Sequence, residues 1–439
     1  MLRSHARTRS ETASPNTPPP DTTDLASMEA LLRARLRLGA GPVLAGTAAE
    51  VVIETGPGST WTISIGRDGA LSANRGAVSR PDCHIRTDPE TWLAILDGRE
   101  SGVAAFLDGR LVARRNLALA MQLDGMFRAG DRSWRLPRAG VVTAGGIRTP
   151  YLEAGAPDAP AIVALHGLGA TNASLLPTIW ELATDYRVIA PDLPGHGDSD
   201  KPLAPYDSRW FGRWVTTFCN ALQLDEFVLL GNSLGGRIAL EGGLQMADRV
   251  RGLVLFTPSP AFRRLRQFVP LVRVLRPEVA ALAPMPLPVP MPPAAVRSTI
   301  RWMFARPERL PDSWYEAAAD EFLRAFRSPR GRIAFFSCLR QIYLEDAFGT
   351  GGFWTRLPEL APPALFVWGD KDPLVPSSFA RHVVTAVPHA RSVVLPDCGH
   401  VPQFELPEQT HELVREFLAE LPAIPAGRAP DELTIRRHS

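Results

Sequence analysis

Cysteine is scarce in this chain of 439 residues. Its four copies, Cys83, Cys219, Cys338 and Cys398, lie far apart, without a C-x-x-C pair or a spacing typical of zinc sites. We therefore expect no metal site, and the spacing fits a reducing, cytoplasmic setting.

Lysine is scarcer still, since only Lys201 and Lys371 are lysines among 48 basic residues. The arginines are scattered among 46 acidic residues, and the formal net charge is only +2 at pH 7. Without a basic stripe, the charge pattern argues against nucleic acid as a partner.

Long apolar runs are also absent. No stretch approaches the roughly 18 continuous apolar residues of a transmembrane helix. Residues 1–27 lack the apolar core of a secretory signal, and we expect them to be a disordered tail, with residues 423–439 as a second tail. Five arginines in segment 263–276, which Pro270 interrupts, leave two interpretations open: weak peripheral contact with an anionic membrane, or the solvated face of a cap helix.

Two pattern changes divide the rest of the chain. Residues 28–136 carry strand-like runs such as "STWTISIG" and a helix that should begin at Asp88-Pro89 and end near Gly98, which predicts a small α+β domain. In residues 137–422, apolar runs such as "AIVAL", "FVLLG" and "ALFVW" are mostly separated by helix-length segments. This pattern predicts a mostly parallel sheet with helices on both faces. The long interval 261–355 predicts an inserted helical lid.

The segment "VLLGNSLGGRIAL" places Ser233 in a sharp turn between a strand and a helix. Its G-x-S-x-G pattern, with Gly231 and Gly235, is typical of a nucleophile elbow in that context. Glycines on both sides allow a strained turn without Cβ clashes, so the serine hydroxyl can project at the carboxyl edge of the sheet. Ser233 is therefore the candidate nucleophile.

A serine hydroxyl needs a base, and an imidazole base needs a carboxylate to fix its tautomer. His400 follows the last predicted strand and is the candidate base, whereas His382 and His411 lie in predicted helices. Asp372 follows another strand and is the candidate carboxylate, with Asp370 as the alternative. The chain order Ser, Asp, His is the order known for this type of elbow.

The negative charge that develops on a carbonyl oxygen needs preorganised donors. We expect one to be the backbone N–H of Leu234, at the start of a helix, and the other the N–H of Leu168 in "LHGLGA". His166, in the same loop, is predicted to have a structural role. Neither a metal nor an organic cofactor is needed for this chemistry.

Together these features resemble the α/β-hydrolase family over roughly Val141 to Leu421. "PDLPGHGDSD" is similar to that family's loop after a core strand, and "GHVPQFELP" to its histidine segment. The resemblance implies an α/β-hydrolase fold with Ser233, Asp372 and His400 as the triad. A serine rather than an aspartate at the elbow points to acyl transfer to water.

The N-terminal segments "TWTISIGRDGALSANRG" and "PDCHIRTDPETWLAILDGR" resemble the sterol carrier protein family over about Met28 to Ala129. This resemblance implies an apolar tunnel for a fatty acyl or sterol-like ligand. The alternative is that Trp92, Met121 and similar residues fill an ordinary core.

The leading hypothesis is a serine hydrolase that acts on an ester, or a related acyl compound, of a hydrophobic or lipid-like molecule. "GNSLGG" is also similar to a string in carbon–carbon bond hydrolases of ring-fission products, although Val401 stands where those usually carry an aromatic residue. A third possibility is a lipid carrier or sensor with a silent hydrolase scaffold.

Overall fold

The computed structural model describes residues 48–122, 135–261 and 292–422. Several predicted segments lie outside these residues: the tails 1–27 and 423–439 and the arginine-containing segment 263–276. The predicted domain limits 28–136 and 137–422 and the insertion limits 261–355 therefore stay predictions.

The first unit is built on a five-stranded sheet in the order β3-β2-β1-β4-β5. The strands are β1 Ala49–Gly56, β2 Ser59–Ile65, β3 Leu71–Arg75, β4 Cys83–Thr87 and β5 Leu111–Arg114. Its helices are α1 Pro89–Leu96, α2 Gly102–Leu107 and α3 Leu117–Met121. Among these five described strands, β1 and β4 pair in parallel and the other pairs are antiparallel. Trp61, Ile63 and Ile65 alternate along β2 and are all buried, which fixes the face of the sheet that carries the core.

Helix α1 begins as the sequence predicts. The Asp88 carboxylate accepts hydrogen bonds from the amide N and the hydroxyl of Thr91, at 2.8 and 2.7 Å, and Pro89 occupies the first helical turn. Gly98 follows the helix with φ 70°, in the left-handed region that glycine adopts readily. Partial burial acts to raise the pKa of Asp88, but the bonds from Thr91 outweigh it and lower that pKa.

The second unit contains an eight-stranded sheet in the order β13-β12-β11-β10-β8-β9-β7-β6. The strands are β6 Arg138–Ala144, β7 Ile147–Ala154, β8 Ala161–Leu165, β9 Arg187–Pro191, β10 Phe227–Asn232, β11 Val250–Phe256, β12 Ala364–Gly369 and β13 Arg391–Leu395. The hairpin β6–β7 and the pair β7–β9 are antiparallel, and the other five pairings are parallel.

The described residues of this unit also contain ten α-helices: α4 Leu176–Leu182, α5 Ser208–Ala221, α6 Leu234–Gln245, α7 Pro293–Trp302, α8 Asp312–Phe326, α9 Pro329–Leu344, α10 Phe353–Arg356, α11 Phe379–Ala386, α12 Pro402–Glu405 and α13 Pro407–Glu420. Along β8, Ile162 and Ala164 belong to one apolar cluster, whereas Val163 and Leu165 belong to another. Helices therefore bury both faces of the sheet, as in doubly wound α/β proteins.

Helices α7 to α10 form an insertion between β11 and β12. The described residues of this insertion form helices and irregular connections and contain no strand. None of the helices in the described ranges has the length and apolar character needed to cross a bilayer. All four cysteines lie in the described ranges, and they are buried and unpaired.

Replacing Asp88 with alanine should remove the N-cap of α1 and lower the free energy of unfolding of the N-terminal domain by about 1 kcal/mol. Asp88→Asn is the matched control, because its side-chain oxygen can still accept the Thr91 amide. Urea denaturation followed by tryptophan fluorescence would report the difference, since Trp92 lies in α1. Equal losses in both variants would contradict the capping role.

Candidate active site

Ser233 lies in a one-residue turn between the end of β10 and the start of α6. Its backbone has φ 55° and ψ −116°, a conformation that costs a non-glycine residue roughly 1–3 kcal/mol. Three backbone hydrogen bonds hold it: its N–H donates to Phe256 O at 2.9 Å, and its carbonyl accepts from Arg237 N and Ser259 N, each at 3.0 Å. Such strain is typical of functional turns.

The flanking glycines allow the backbones around this turn to approach closely. A Cβ added to Gly235 would lie 2.0 Å from Leu165 O, and one added to Gly231 would lie 2.3 Å from Gly235 C. Neither distance leaves room for a side chain. Helix α6 can therefore start against β8 only because both positions lack a Cβ.

His400 and Asp372 are paired at the carboxyl edge of the same sheet. His400 Nδ1 lies 2.7 Å from Asp372 Oδ2, and both side chains are buried. Asp372 Oδ1 accepts the amides of Leu374 and Val375 at 2.7 and 2.9 Å. These bonds hold the carboxylate in place. The structure thus pairs His400 with Asp372, whereas Asp370 accepts the Cys398 amide at 3.3 Å.

A proton on Nδ1 shared with a carboxylate leaves Nε2 of His400 as the proton acceptor. No residue in the described ranges forms a hydrogen bond with that Nε2 atom or with the Ser233 hydroxyl. The two segments adjoin, because Asn232 Nδ2 donates to His400 O at 3.2 Å. The nucleophile and base candidates therefore occupy one edge of the sheet, and the base carries a free acceptor.

Thr257 and Asn232 bind residues 397–406, called the His400 segment below. The local sequence pattern did not predict this role. Thr257 Oγ1 donates to His400 O at 2.9 Å, and Asn232 Nδ2 also lies 3.1 Å from Thr257 Oγ1. Thr257 follows β11 and has a positive φ of 42°. The one available sequence signal was the position of both residues at strand ends, where parallel strands bring side chains together.

The other histidines considered have structural contacts. His166 donates from Nδ1 to Gly167 O at 2.8 Å, and its Nε2 accepts the Leu193 amide at 3.0 Å. Burial lowers the pKa of His166 to about 3 and that of His411 to about 4. His382 lies in α11 with Nδ1 3.2 Å from Ser378 O. The structural role predicted for His166 fits these bonds.

The segments that carry the two candidate oxyanion donors adjoin Ser233. Leu234 is the first residue of α6, and a Cβ added to Gly167, next to Leu168, would lie 3.4 Å from Ser233 Cβ. Among the residues that the structure describes, neither Leu168 N–H nor Leu234 N–H has a hydrogen-bond acceptor. Two unused backbone donors beside a serine can stabilise a developing oxyanion.

The family models agree with this architecture. Residues 160–407, more than half of the chain, match the model described as alpha/beta hydrolase fold. The chain belongs to this family. Residues 32–128 match the SCP-2 sterol transfer family, so the hydrolase carries a sterol-carrier-type domain at its N-terminal side. Both expected resemblances and the expected fold class are confirmed.

Known relatives of the hydrolase include esterases and a phospholipase. An uncharacterised protein of Mycobacterium tuberculosis is 27% identical over 63% of this chain and 80% of its own length. A pimeloyl-[acyl-carrier protein] methyl ester esterase of Xanthomonas axonopodis pv. citri is 28% identical over 60% of this chain and 96% of its own. The crystal structure of a membrane phospholipase A, a bacterial virulence factor, is 26% identical with a TM-score of 0.53, covering 75% of this chain and 96% of that one.

The insertion of the hydrolase contacts the His400 segment directly. His400 N donates to Met303 O at 2.8 Å, in the connection between α7 and α8. Glu405 joins the two segments, since its carboxylate accepts Arg306 N at 2.6 Å and Gly399 N at 2.7 Å. The position of His400 therefore depends on the insertion as well as on the sheet.

A cavity of about 310 Å³ lies beside the first turn of α6. Leu234, the residue after the candidate nucleophile, lines it together with Tyr206, Arg237, Cys338 and Ile342. The lining is mixed in polarity. Its volume is at the lower end of the range for small-molecule sites.

Replacing Gly235 with alanine should prevent α6 from seating against β8 and destabilise the fold by several kcal/mol, because Leu165 O is a backbone atom that cannot move aside. Gly167→Ala is the control, since its added Cβ meets only ordinary van der Waals contacts. Thermal unfolding of both variants would test the difference. A Gly235→Ala protein as stable as the control would refute the packing argument.

Proposed function

We propose that the chain is a serine hydrolase that cleaves an ester or related acyl bond of a hydrophobic or lipid-like substrate. The observation that carries the proposal is the 2.7 Å contact between His400 Nδ1 and Asp372 Oδ2, beside the strained turn at Ser233. Membership of the α/β-hydrolase family and the esterase and phospholipase relatives support hydrolysis.

In this mechanism the Ser233 hydroxyl attacks the substrate carbonyl carbon while His400 Nε2 takes its proton. Asp372 stabilises the imidazolium that forms. The carbonyl oxygen becomes an oxyanion, which accepts hydrogen bonds from Leu168 N–H and Leu234 N–H. Collapse breaks the bond to the leaving group, which takes the proton from His400.

The acyl-enzyme is then hydrolysed by the same groups. A water molecule gives one proton to His400 and attacks the acyl carbon, and Ser233 leaves with that proton when the second tetrahedral intermediate collapses. In each half of the reaction His400 takes up one proton and gives it back, so it ends in the state in which it began. The side chains and amides of this chain suffice, so the mechanism requires neither a metal nor an organic cofactor.

A hydrophobic substrate fits the surroundings of the oxyanion loop. Gly169 packs against Phe322 and Phe335 of the insertion, which belong to an aromatic cluster with Phe326 and Phe336. The sterol-carrier-type domain adds a module of a lipid-transfer family to the same chain. The related phospholipase and methyl ester esterase support an acyl substrate.

The carbon–carbon hydrolase alternative stays a prediction. Asn232 suggested it, but the Asn232 side chain donates to Phe256 O, to Thr257 Oγ1 and to His400 O, so it has a structural task in any reaction. Comparing turnover of a ring-fission dienoate with that of a medium-chain ester would separate the two reactions.

Replacing Ser233 with alanine should reduce kcat on a p-nitrophenyl ester by roughly 10⁶-fold, because the attacking oxygen is lost. A fluorophosphonate probe should add its mass to the native protein at Ser233 and not to the variant. Intact-mass and peptide mass spectrometry would check both statements. Undiminished turnover in the variant would reject the mechanism, and an unlabelled native protein would favour a silent scaffold.

Replacing Asp372 with asparagine should lower kcat by roughly 10⁴-fold, since an amide N–H would face His400 Nδ1 and favour the wrong tautomer. Asp370→Asn is the matched control, because Asp370 does not contact the imidazole. Steady-state kinetics at pH 7 to 8 would measure both. If Asp370→Asn lowered kcat more than Asp372→Asn, the carboxylate partner of His400 would be Asp370.

A further inference from the structure

The N-terminal domain is attached to the insertion by ion pairs on one face of α8. Arg114, at the end of β5, donates from Nε to Asp320 Oδ2 at 2.7 Å and from Nη1 to Glu316 Oε2 at 2.9 Å. The amide of Arg115 adds a bond to Asp320 at 3.0 Å. Since Glu316 and Asp320 are four residues apart, they lie on the same side of the helix.

Trp314, near the start of α8, lies between the N-terminal domain and the helix that follows His400. Its ring stacks on Phe106 of α2 with centroids 5.2 Å apart, and its Nε1 donates to Phe106 O at 3.0 Å. On the other side, the Phe404 ring of α12 meets it edge-on at 4.6 Å. Phe404 is four residues beyond His400, so Trp314 connects the N-terminal domain to the helix that begins two residues after the candidate base.

Glu321, farther along α8, links the N-terminal domain to the loop after β9. Its Oε1 accepts the Leu117 amide at the start of α3 at 2.6 Å, and its Oε2 accepts Arg324 Nη2 at 2.9 Å. Arg324 also donates to the Asp198 carboxylate. Glu321 is 4% exposed, so the Leu117 amide donates to a carboxylate that is buried where the two domains meet, and separating the domains would break that bond.

The loop after β9 is also bonded to residues 166–175, the segment that carries Leu168 and is called the oxyanion segment below. Asp192 Oδ2 accepts Asp198 N at 2.8 Å, and its Oδ1 accepts Asn172 N at 2.9 Å, four residues after Leu168. Helix α8 also contacts the segment directly, because a Cβ on Gly169 would lie 3.0 Å from the Phe322 ring. One helix therefore touches the N-terminal domain, the oxyanion segment and the helix after His400.

We propose that the N-terminal domain is a positioning element of the active site, which acts through α8 on the segments that carry His400 and Leu168. Arg114, Trp314 and Glu321 are positioning residues in this arrangement. The inference rests on the proposed function, because it assigns these contacts a role in hydrolysis. A domain that only carried ligand would need no buried bonds to the insertion, and release of the domain would break those bonds.

The test is a charge reversal in the full-length protein. Arg114→Glu would place a third carboxylate beside Glu316 and Asp320 and should loosen α8. We expect kcat on the short soluble ester p-nitrophenyl acetate to fall roughly 10- to 100-fold, with a smaller change in KM, because small displacements of catalytic groups are costly. The double variant Arg114→Glu, Asp320→Arg restores an opposite-charge pair but removes the acceptor of the Arg115 amide, so it should return kcat to within about fivefold of the parent protein.

Arg110→Glu is the matched control. Arg110 lies in the same domain, but its guanidinium pairs with Glu100 and Asp108 and not with an acidic residue of α8. The proposal would be overturned if the Arg114→Glu variant had the kcat of the parent protein and the same unfolding midpoint as the Arg110→Glu variant. A loss of activity of which the double variant restores nothing would also overturn it, since that result would indicate general misfolding.

Hydrogen–deuterium exchange separates failure of this inference from failure of the proposed function. Arg114→Glu should speed amide exchange in peptides covering residues 166–175 and 397–406 by tenfold or more, whatever reaction the protein catalyses. If the parent protein is neither active nor labelled at Ser233, serine hydrolysis is rejected, and the exchange result alone decides whether the domain orders these segments. Unchanged exchange in both peptides would contradict the positioning role.

Discussion

The structure depends on one tight backbone contact, the approach of the first turn of α6 to the end of β8. Because β10 ends at Asn232 and α6 begins at Leu234, a single residue must reverse the chain direction. Ser233 does so at φ 55°, and the strain is tolerated because three backbone hydrogen bonds and the missing Cβ at Gly235 fix the turn. The candidate nucleophile Ser233 and the candidate oxyanion donor Leu234 N–H take their positions from this turn.

Burial gives the histidines of this chain different properties. His166, in the loop that also carries Leu168, has both ring nitrogens bonded, and desolvation holds it neutral with a pKa of about 3. His400 has one nitrogen on Asp372 and the other without a partner in the described ranges. The same type of side chain therefore makes structural hydrogen bonds in one loop and is the candidate base in another.

The insertion contacts both the candidate active site and the N-terminal domain. Met303 and Glu405 connect it to the His400 segment, Phe322 to the oxyanion segment, and Trp314 to the N-terminal domain. Apolar residues of the N-terminal domain and of the hydrolase sheet also form one continuous cluster. The two domains consequently share a core, which is a reason to consider them one functional unit.

The sequence by itself determined the fold family, the elbow and the start of α1, because these depend on local patterns: continuous apolar runs, glycines spaced around a serine, and an Asp-Pro cap. It left Asp370 and Asp372 as alternatives, since two acids in one loop have nearly the same local environment. Only the tertiary structure paired Asp372 with His400, brought Asn232 and Thr257 to the His400 carbonyl, and joined Arg114 to α8. These contacts link residues from 28 to more than 200 positions apart. Their partners are set by how strands and helices pack in three dimensions, which no local pattern encodes.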